Sequence, residues 1–424
     1  MVHRGEPEGD RQAASPPLVS LIVPLYDAGT FLADTLASVK DQTYKTIEVV
    51  IVDDGSRDDS LEIAERFRDD FTKFTLTSQE NRGVAAARNR GLDLASGDFI
   101  GFLDADDLLV PDSVARRVAL LRAGDHRLCG GVTEIVDDSG KSLNLRVGRQ
   151  NTGDYRHIWQ VPCQISTLMG HADIMRSQRF IEGKRFAEDW VYIVDLLQDG
   201  WTIGSCGNRP LSKYRWHATS ATGKQIYDHF ENCVALLHDL GRDNPALVTA
   251  KGSDSRERFF IAQSRLKRAV VERTQAAFSF YLLRGDEDPV IESRLIAQMN
   301  AISKNFERFI KGSHFETTAV RALLLPKGSD ALHGALCEKA PKALVACERL
   351  QPTTANQAFV KSLRLYLSEV VDKAEARGLM QGQMAPEDRK RLFYSHHRRS
   401  LEKALRPLRK ILRKAIARLR KAGR

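Results

Sequence analysis

The chain is predicted to open with an α/β domain built on a parallel sheet. Three observations carry that expectation. Short apolar segments rich in β-branched residues alternate with segments of helical length, polar residues gather where the strands end, and the last strand of the series runs into three carboxylates. Val19–Pro24, Ile47–Val52, Lys73–Thr77 and Asp98–Leu103 read as strands, with helices over Phe31–Lys40, Ser60–Phe71 and Val84–Ala95 between them. Strands alternating with helices of this length give a parallel sheet covered on both faces. Ligands of such sheets bind beyond the carboxyl ends of the strands. Those ends carry Pro24, Tyr26 and Asp27, then Asp53-Asp54-Gly55-Ser56, then Asn81-Arg82-Gly83, and finally Asp104, Asp106 and Asp107.

The acidic turn is the sharpest of these signals. Phe99-Ile-Gly-Phe-Leu-Asp-Ala-Asp-Asp107 is an apolar strand ending in three negative charges, an arrangement that repels itself unless a cation sits there. Mg²⁺ and Mn²⁺ take oxygen ligands and leave positions open for phosphate oxygens. A solvated turn is the alternative, since short acidic motifs are common.

Order and spacing over about ninety residues settle the wider context. Val19-Ser-Leu-Ile-Val-Pro-Leu-Tyr26, Gln42-Thr-Tyr44, Val52-Asp-Asp-Gly-Ser56, Glu80-Asn-Arg-Gly-Val-Ala-Ala-Ala-Arg-Asn-Arg-Gly91, Gly97-Asp98 and Phe102-Leu-Asp-Ala-Asp-Asp107 resemble the nucleotide-sugar-binding half of the family 2 glycosyltransferases. Phe186-Ala-Glu-Asp-Trp190 and Tyr214-Arg-Trp-His-Ala-Thr-Ser220 resemble the end of the same catalytic domain. The resemblance implies a GT-A fold, the Rossmann-like fold of nucleotide-diphospho-sugar transferases, over residues 18–224. It also implies an inverting, metal-dependent transfer from a nucleotide sugar, a UDP-sugar by expectation, in bacterial surface-polysaccharide synthesis.

Roles follow from that resemblance, position by position. Asp54 would accept from the uracil imide with Asp53 beside it, and Tyr26 would lie against the base, whose flat face stacks on aromatic rings. The competing reading of Asp53–Ser56 is a turn and helix cap, with Ser56 or Asp58 as the capping group. Asp104 and Asp106 match the family's Asp-x-Asp and would both belong to the site for Mn²⁺ or Mg²⁺, with Asp106 the direct ligand and Asp104 also on the donor side. A divalent ion there would neutralise the departing diphosphate. Arg88 and Arg82 would help hold the phosphates, or else lie on a solvated helix face, while Asn89 and Gly83 fix local backbone. Asp189 matches the family's base, with Glu188 beside it. A carboxylate in reach can take the acceptor hydroxyl's proton, although an acidic pair before Trp190–Leu197 also suits a helix start. His217 would complete the metal site or be structural. Residues 129–185, which include Trp159 and Cys163, would shape the acceptor pocket.

Composition frames the remainder. The six cysteines, at 129, 163, 206, 233, 337 and 347, show neither close pairing nor metal spacing, which favours reduced thiols and a cytoplasmic setting. No apolar run reaches the ~18 residues of a membrane span, and the polar residues 1–17 read as a disordered lead rather than a secretory signal. Residues 225–380 read as an α-helical accessory domain, with helix-period apolar positions over Phe259–Leu283, Val290–Ile310 and Ala358–Ala376. No chemistry is legible in it, and oligomerisation remains one of its open roles.

Charge is concentrated at the end. Residues 389–424 hold fifteen Lys or Arg and one acid, Glu402, for a net +14, whereas the whole chain carries +9. Within the tail, residues 381–424, Leu401, Leu405, Leu408, Leu412, Ile416 and Leu419 recur at three- and four-residue steps among the cations. Such a basic amphipathic helix reads as an element for an anionic membrane surface. A nucleic-acid tail and a helix docked on protein are the competing readings. A membrane position suits a glycan or lipid-linked acceptor and a peripheral place on the inner face of the cytoplasmic membrane. A catalytically inactive, glycosyltransferase-like membrane scaffold is the alternative function, against which stands the presence of Asp54, Asp106 and Asp189.

Overall fold

The computed structural model describes residues 15–148, 163–183, 187–215 and 217, and stretches between 234 and 376, chiefly 288–310 and 356–376. The expected alternation is present: β1 (Val19–Leu25), α1 (Gly29–Lys40), β2 (Ile47–Asp53), α2 (Ser60–Glu65), β3 (Lys73–Ser78), α3 (Val84–Leu94) and β4 (Phe99–Phe102). The second helix is shorter than its expected span, because a single 3-10 turn at Arg68–Asp70 replaces its last part. β1 runs parallel to both β2 and β4, and β2 parallel to β3. Val19, Leu21, Val23, Leu25, Val49 and Ile51 pack with Leu32, Leu36 and Val39 of α1 in the core.

Two local choices show how the sequence fits this frame. Pro24 sits inside a strand, where a missing N–H normally costs a ladder bond. The Ile22 carbonyl accepts from Leu103 N, 3.0 Å away, and the pairing of β1 with β4 ends at Ile22 and Phe102. Alternation points Pro24 to the same side, just past that ladder, so no bond is lost. Gly91 lies where α3 crosses β1, and a Cβ there would stand 2.2 Å from Ile22 Cγ2, so the helix seats closely only without one.

The sheet is mixed rather than parallel. It continues through β6 (Leu128–Gly130), β9 (Met169–His171) and β10 (Ile203–Ser205) to the order β10-β6-β9-β4-β1-β2-β3, with β9 antiparallel to both of its neighbours. Three residues per strand is too short for a legible pattern. A second sheet, of order β5-β11-β7-β8, combines β5 (Leu108–Leu109), β7 (Thr133–Val136), β8 (Ser142–Val147) and β11 (Ser212–Arg215). Between them run α4 (Ser113–Arg122), α5 (Ala172–Met175) and α6 (Glu188–Gln198).

The chain divides into compact units after Val270. In the second unit, α7 (Pro289–Ile310) and α8 (Gln357–Ala376) pack on one another, each starting one residue before an expected helical span. Asp288 caps α7 by accepting from Val290 N and Ile291 N, with Pro289 at the first helical position, where its missing donor costs nothing. Phe359 of α8 meets Phe278 edge-on at 6.1 Å. No described helix is long and apolar enough to cross a membrane. The basic tail, Trp159 and most of residues 225–266 lie outside the described residues.

Candidate active site

The carboxyl ends of β1, β2 and β4 lie side by side, and Arg88 of α3 joins the turn after β4 to the first turn of α6. On the β2 side, Asp53 and Asp54 are both buried. Asp53 Oδ1 accepts from Ser56 N at 2.9 Å and shapes the turn. Asp54 takes three hydrogen bonds from the next loop: Gln79 Nε2 at 2.8 Å, Arg82 N at 2.9 Å and Gly83 N at 2.7 Å. A carboxylate offers about four lone-pair directions, so the chain itself uses most of this one. Gly83 supplies the φ of +91° that turns its N–H toward Asp54 as α3 begins. Asp58 supplies the capping expected near Ser56: it accepts from Gly29 N at the start of α1 and from Ser60 N at the start of α2. Tyr26 stands half-exposed just after β1.

The acidic turn after β4 distributes its three carboxylates unequally. Asp107 is buried and structural, accepting from Ser166 Oγ at 2.8 Å and from Arg215 N at 3.1 Å; burial pushes its carboxyl well up, and Asp106 and Asp104 push it further. Asp106 is partly exposed, and its Oδ2 lies 3.0 Å from His217 Nε2. The His217 ring tilts against Phe31 with centroids 4.5 Å apart. Asp104 accepts from Arg88 at 2.7 Å.

Arg88 lies at the centre rather than on a solvated face. It is 3% exposed and forks between Asp104 and Glu188, with Nη2 on the first and Nη1 on the second at 2.7 and 2.8 Å. Its guanidinium also lies 5.3 Å above the Phe180 ring. Burial alone would lower its pKa, but Asp104, Glu188 and Asp189 raise it overall. Arg82, by contrast, pairs with Glu182 at 2.6 Å on the surface. Asn89 clamps the Phe180 backbone, donating to its carbonyl and accepting from its N–H, both at 2.9 Å. Phe180 in turn stacks on Tyr192 at 4.1 Å. Two adjacent residues of α3 thus fix both ends of the segment leading to α6.

Glu188 and Asp189 occupy the first turn of α6, after Ala187, whose φ of +60° is left-handed. Asp189 Oδ1 accepts from Trp190 N at 2.8 Å. Burial raises both carboxyls; Asp189 raises Glu188 further, while Arg88 lowers each. Burial likewise raises Asp104, against the pull of Arg88. Burial thus raises all three carboxyls around this arginine above the ordinary carboxylate range.

Arg215 is the residue that sequence reasoning missed. Buried, it donates from Nε to the Asp106 carbonyl at 3.0 Å, from Nη1 to the Asp138 carbonyl at 2.8 Å and from Nη2 to Asp34 at 3.2 Å, over the face of Phe31. It locks the acidic turn to β11 and so sets the position of His217, two residues on. An arginine ending a short strand inside Tyr214-Arg-Trp-His217 was the available signal.

Among the described residues no three His, Cys, Asp or Glu side chains converge as a metal cage. Asp106 and His217 converge as a pair, and Mg²⁺ is usually held by one or two carboxylates with substrate phosphates and water. That donor set fits a divalent ion completed by its substrate.

The family model "Glycosyl transferase family 2" matches residues 20–181. An uncharacterized glycosyltransferase of Haemophilus influenzae is 32% identical over 185 residues, which is 43% of this chain and 73% of that protein. EpsH of Bacillus subtilis is 39% identical over 136 residues, but the match spans only 31% of this chain and 39% of EpsH. The crystal structure of Staphylococcus aureus TarS 1–349 in complex with UDP superposes with a TM-score of 0.47 at 18% identity, over 85% of this chain and 92% of that one.

Proposed function

The chain belongs to glycosyl transferase family 2, and on that premise we propose that it moves a sugar, with inversion, from a nucleoside-diphosphate donor to a glycan or lipid-linked acceptor. The observation that carries this reading is the Asp104–Arg88–Glu188 bridge, which ties the donor-side acidic turn to the acid pair of α6. Reacting groups held in register gain the advantage of proximity. Tyr26 offers a face to the base beside the Asp53–Asp54 turn. Asp189 is the general base: its raised pKa keeps it basic enough to take the acceptor hydroxyl's proton as that oxygen attacks the anomeric carbon opposite the leaving diphosphate. Glu188, pinned by Arg88, orients the helix start that presents Asp189.

Asp106 and His217 would hold Mn²⁺ or Mg²⁺, which supplies charge neutralisation to the leaving diphosphate. Arg215 holds the Asp106 backbone through its carbonyl. The basic tail would bring the domain to an anionic membrane surface on its cytoplasmic side, where a lipid-linked acceptor of surface-polysaccharide synthesis is found.

Hydrolysis of UDP-, GDP- and dTDP-sugars, with and without EDTA, tests the reading. One donor class should be cleaved in a metal-dependent manner, and Asp106→Asn should abolish that cleavage and weaken donor binding. Full activity of Asp106→Asn in EDTA would remove the metal assignment, and cleavage of no donor by the wild type would favour the inactive scaffold.

A further inference from the structure

The acidic residues between β4 and β5 form a β-turn, closed by the hydrogen bond from Asp107 N to the Asp104 carbonyl at 3.0 Å. Ala105 and Asp106 are its central residues, and a β-turn makes no use of their carbonyls. Both carbonyls are nevertheless held, each by a buried side chain from elsewhere in the domain. Arg215 Nε donates to the Asp106 carbonyl at 3.0 Å, and Thr35 Oγ1 of α1 donates to the Ala105 carbonyl at 2.9 Å. Thr35 is fully buried. A helical threonine can give its one proton to the carbonyl four residues back, but here that oxygen, on Phe31, is the farther of the two at 3.2 Å.

The Ala105 carbonyl belongs to the central peptide of the turn, the group whose rotation converts one turn type into another. A type I turn keeps φ negative at both central positions, whereas a type II turn needs a positive φ at the second. Asp106 is that second residue, and the described non-glycine residues with positive φ are Asp27 and Ala187. Peptide planarity makes the Ala105 carbonyl and the Asp106 N–Cα bond parts of one rigid unit. Whatever holds that carbonyl therefore sets the direction in which the Asp106 side chain leaves the turn.

We infer that Thr35 is a positioning residue of the ion site, its hydroxyl fixing the central peptide so that the Asp106 carboxylate can share a divalent cation with His217, a role that rests on the proposed reading of that pair as ion ligands. Two neighbours on the same turn of α1 favour it. Phe31 packs on the His217 ring with centroids 4.5 Å apart, and Asp34 pairs with Arg215, which holds the next carbonyl. Residues three and four apart share a helix face, so one turn of α1 backs both ligands. Ser38, farther along α1, meets the same segment only past the acidic turn, at Leu109 N, 3.1 Å away. Groups that orient metal ligands from behind are worth about 10–100-fold in metal affinity.

Titration of Mn²⁺ into the full-length protein with UDP or GDP present, the free ion read by electron paramagnetic resonance, is the test. Wild type should bind the ion and Asp106→Asn should not. Wild-type binding no tighter than that of Asp106→Asn would remove the ion reading itself, and the role of Thr35 with it. With tight wild-type binding, Thr35→Val, which keeps the shape and drops the hydroxyl, should weaken Mn²⁺ by about 10–100-fold, and Thr35→Ser should restore it. Ser38→Ala, which removes a hydroxyl from the same helix without touching the turn, should leave Mn²⁺ affinity at the wild-type value. Wild-type affinity in folded Thr35→Val overturns the inference, and so does an equal loss in Ser38→Ala, which would mark a general loosening of α1. If Thr35→Val does not fold, Thr35→Ser and Thr35→Ala, which differ by one hydroxyl, decide: equal affinities overturn it, and weaker binding by Thr35→Ala upholds it.

Discussion

Replacing Arg88 by Met removes the charge while keeping a long side chain over Phe180. Two carboxylates, Asp104 and Glu188, lose their hydrogen-bonded partner at once. Breaking a buried ion pair by deleting one side costs about 3–5 kcal/mol. Asp104 retains 29% of its side-chain exposure and can recruit water, so a loss near about 3 kcal/mol is expected. The sign with pH follows from the raised carboxyls. An acid whose folded pKa lies above its unfolded value favours the folded state at low pH, and that contribution is lost as pH rises through the folded value. Without Arg88 those values rise further, so the deficit should be small near about pH 4 and fully developed near about pH 8. Urea unfolding followed by tryptophan fluorescence reads this, since Trp190 is buried next to the acid pair. Adding Glu188→Gln to Arg88→Met should recover part of the loss, as residues in one network couple by about 0.5–3 kcal/mol. A deficit under about 1 kcal/mol at about pH 8, or one that shrinks as pH rises, would refute the central role given to Arg88.

Asp189→Asn should lower kcat by about 10²–10⁴, the usual contribution of a positioned base, with donor affinity nearly unchanged by calorimetry. Loss of donor binding with folding intact would make Asp189 a donor-site residue. Glu48, buried within β2 opposite Ser20 of β1, would be raised by burial, but hydrogen bonds from Lys73, Ser20 and Ser96 lower it overall. Its contribution to stability is therefore present above the ordinary glutamate value and lost as pH falls through the lowered one. Glu48→Gln should be less stable near neutral pH and show a flatter acid slope in thermal melts. Deleting residues 389–424 should leave donor hydrolysis intact while abolishing flotation with anionic liposomes, and flotation of the intact chain should weaken as salt rises; equal flotation of both forms would remove the membrane reading.

The parallel half of the sheet was legible because its strands are long enough to show a β-branched run and its helices long enough to alternate with them. β6, β9 and β10 are three-residue strands whose places depend on partners far along the chain, and no local pattern announces that β9 runs antiparallel. The acidic turn and the acid pair stood out as motifs, but their joining did not. Arg88 lies 16 residues before Asp104 and 100 before Glu188 in the chain, so only tertiary packing makes it a bridge. Glu48 gave no signal of its own: a charged residue inside Ile47–Asp53, it is satisfied internally by Ser20, Ser96 and Lys73 through partners far along the chain.

The fastening of α3 by Asp54 couples the two sides of the site. Arg88 rides the same rod, five residues past Gly83 and about 7.5 Å along the axis at the helical rise. A substitution at position 54 that loosened the loop would swing the whole lever, and the displacement would arrive at the other end as a misplaced guanidinium. Retuning the Asp54 side of the site by changing this side chain would thus disturb the Arg88 side in the same stroke. Tyr26, just after β1 and with no hydrogen bond to that lever among the described residues, is the position where one side can be altered while the other stays put.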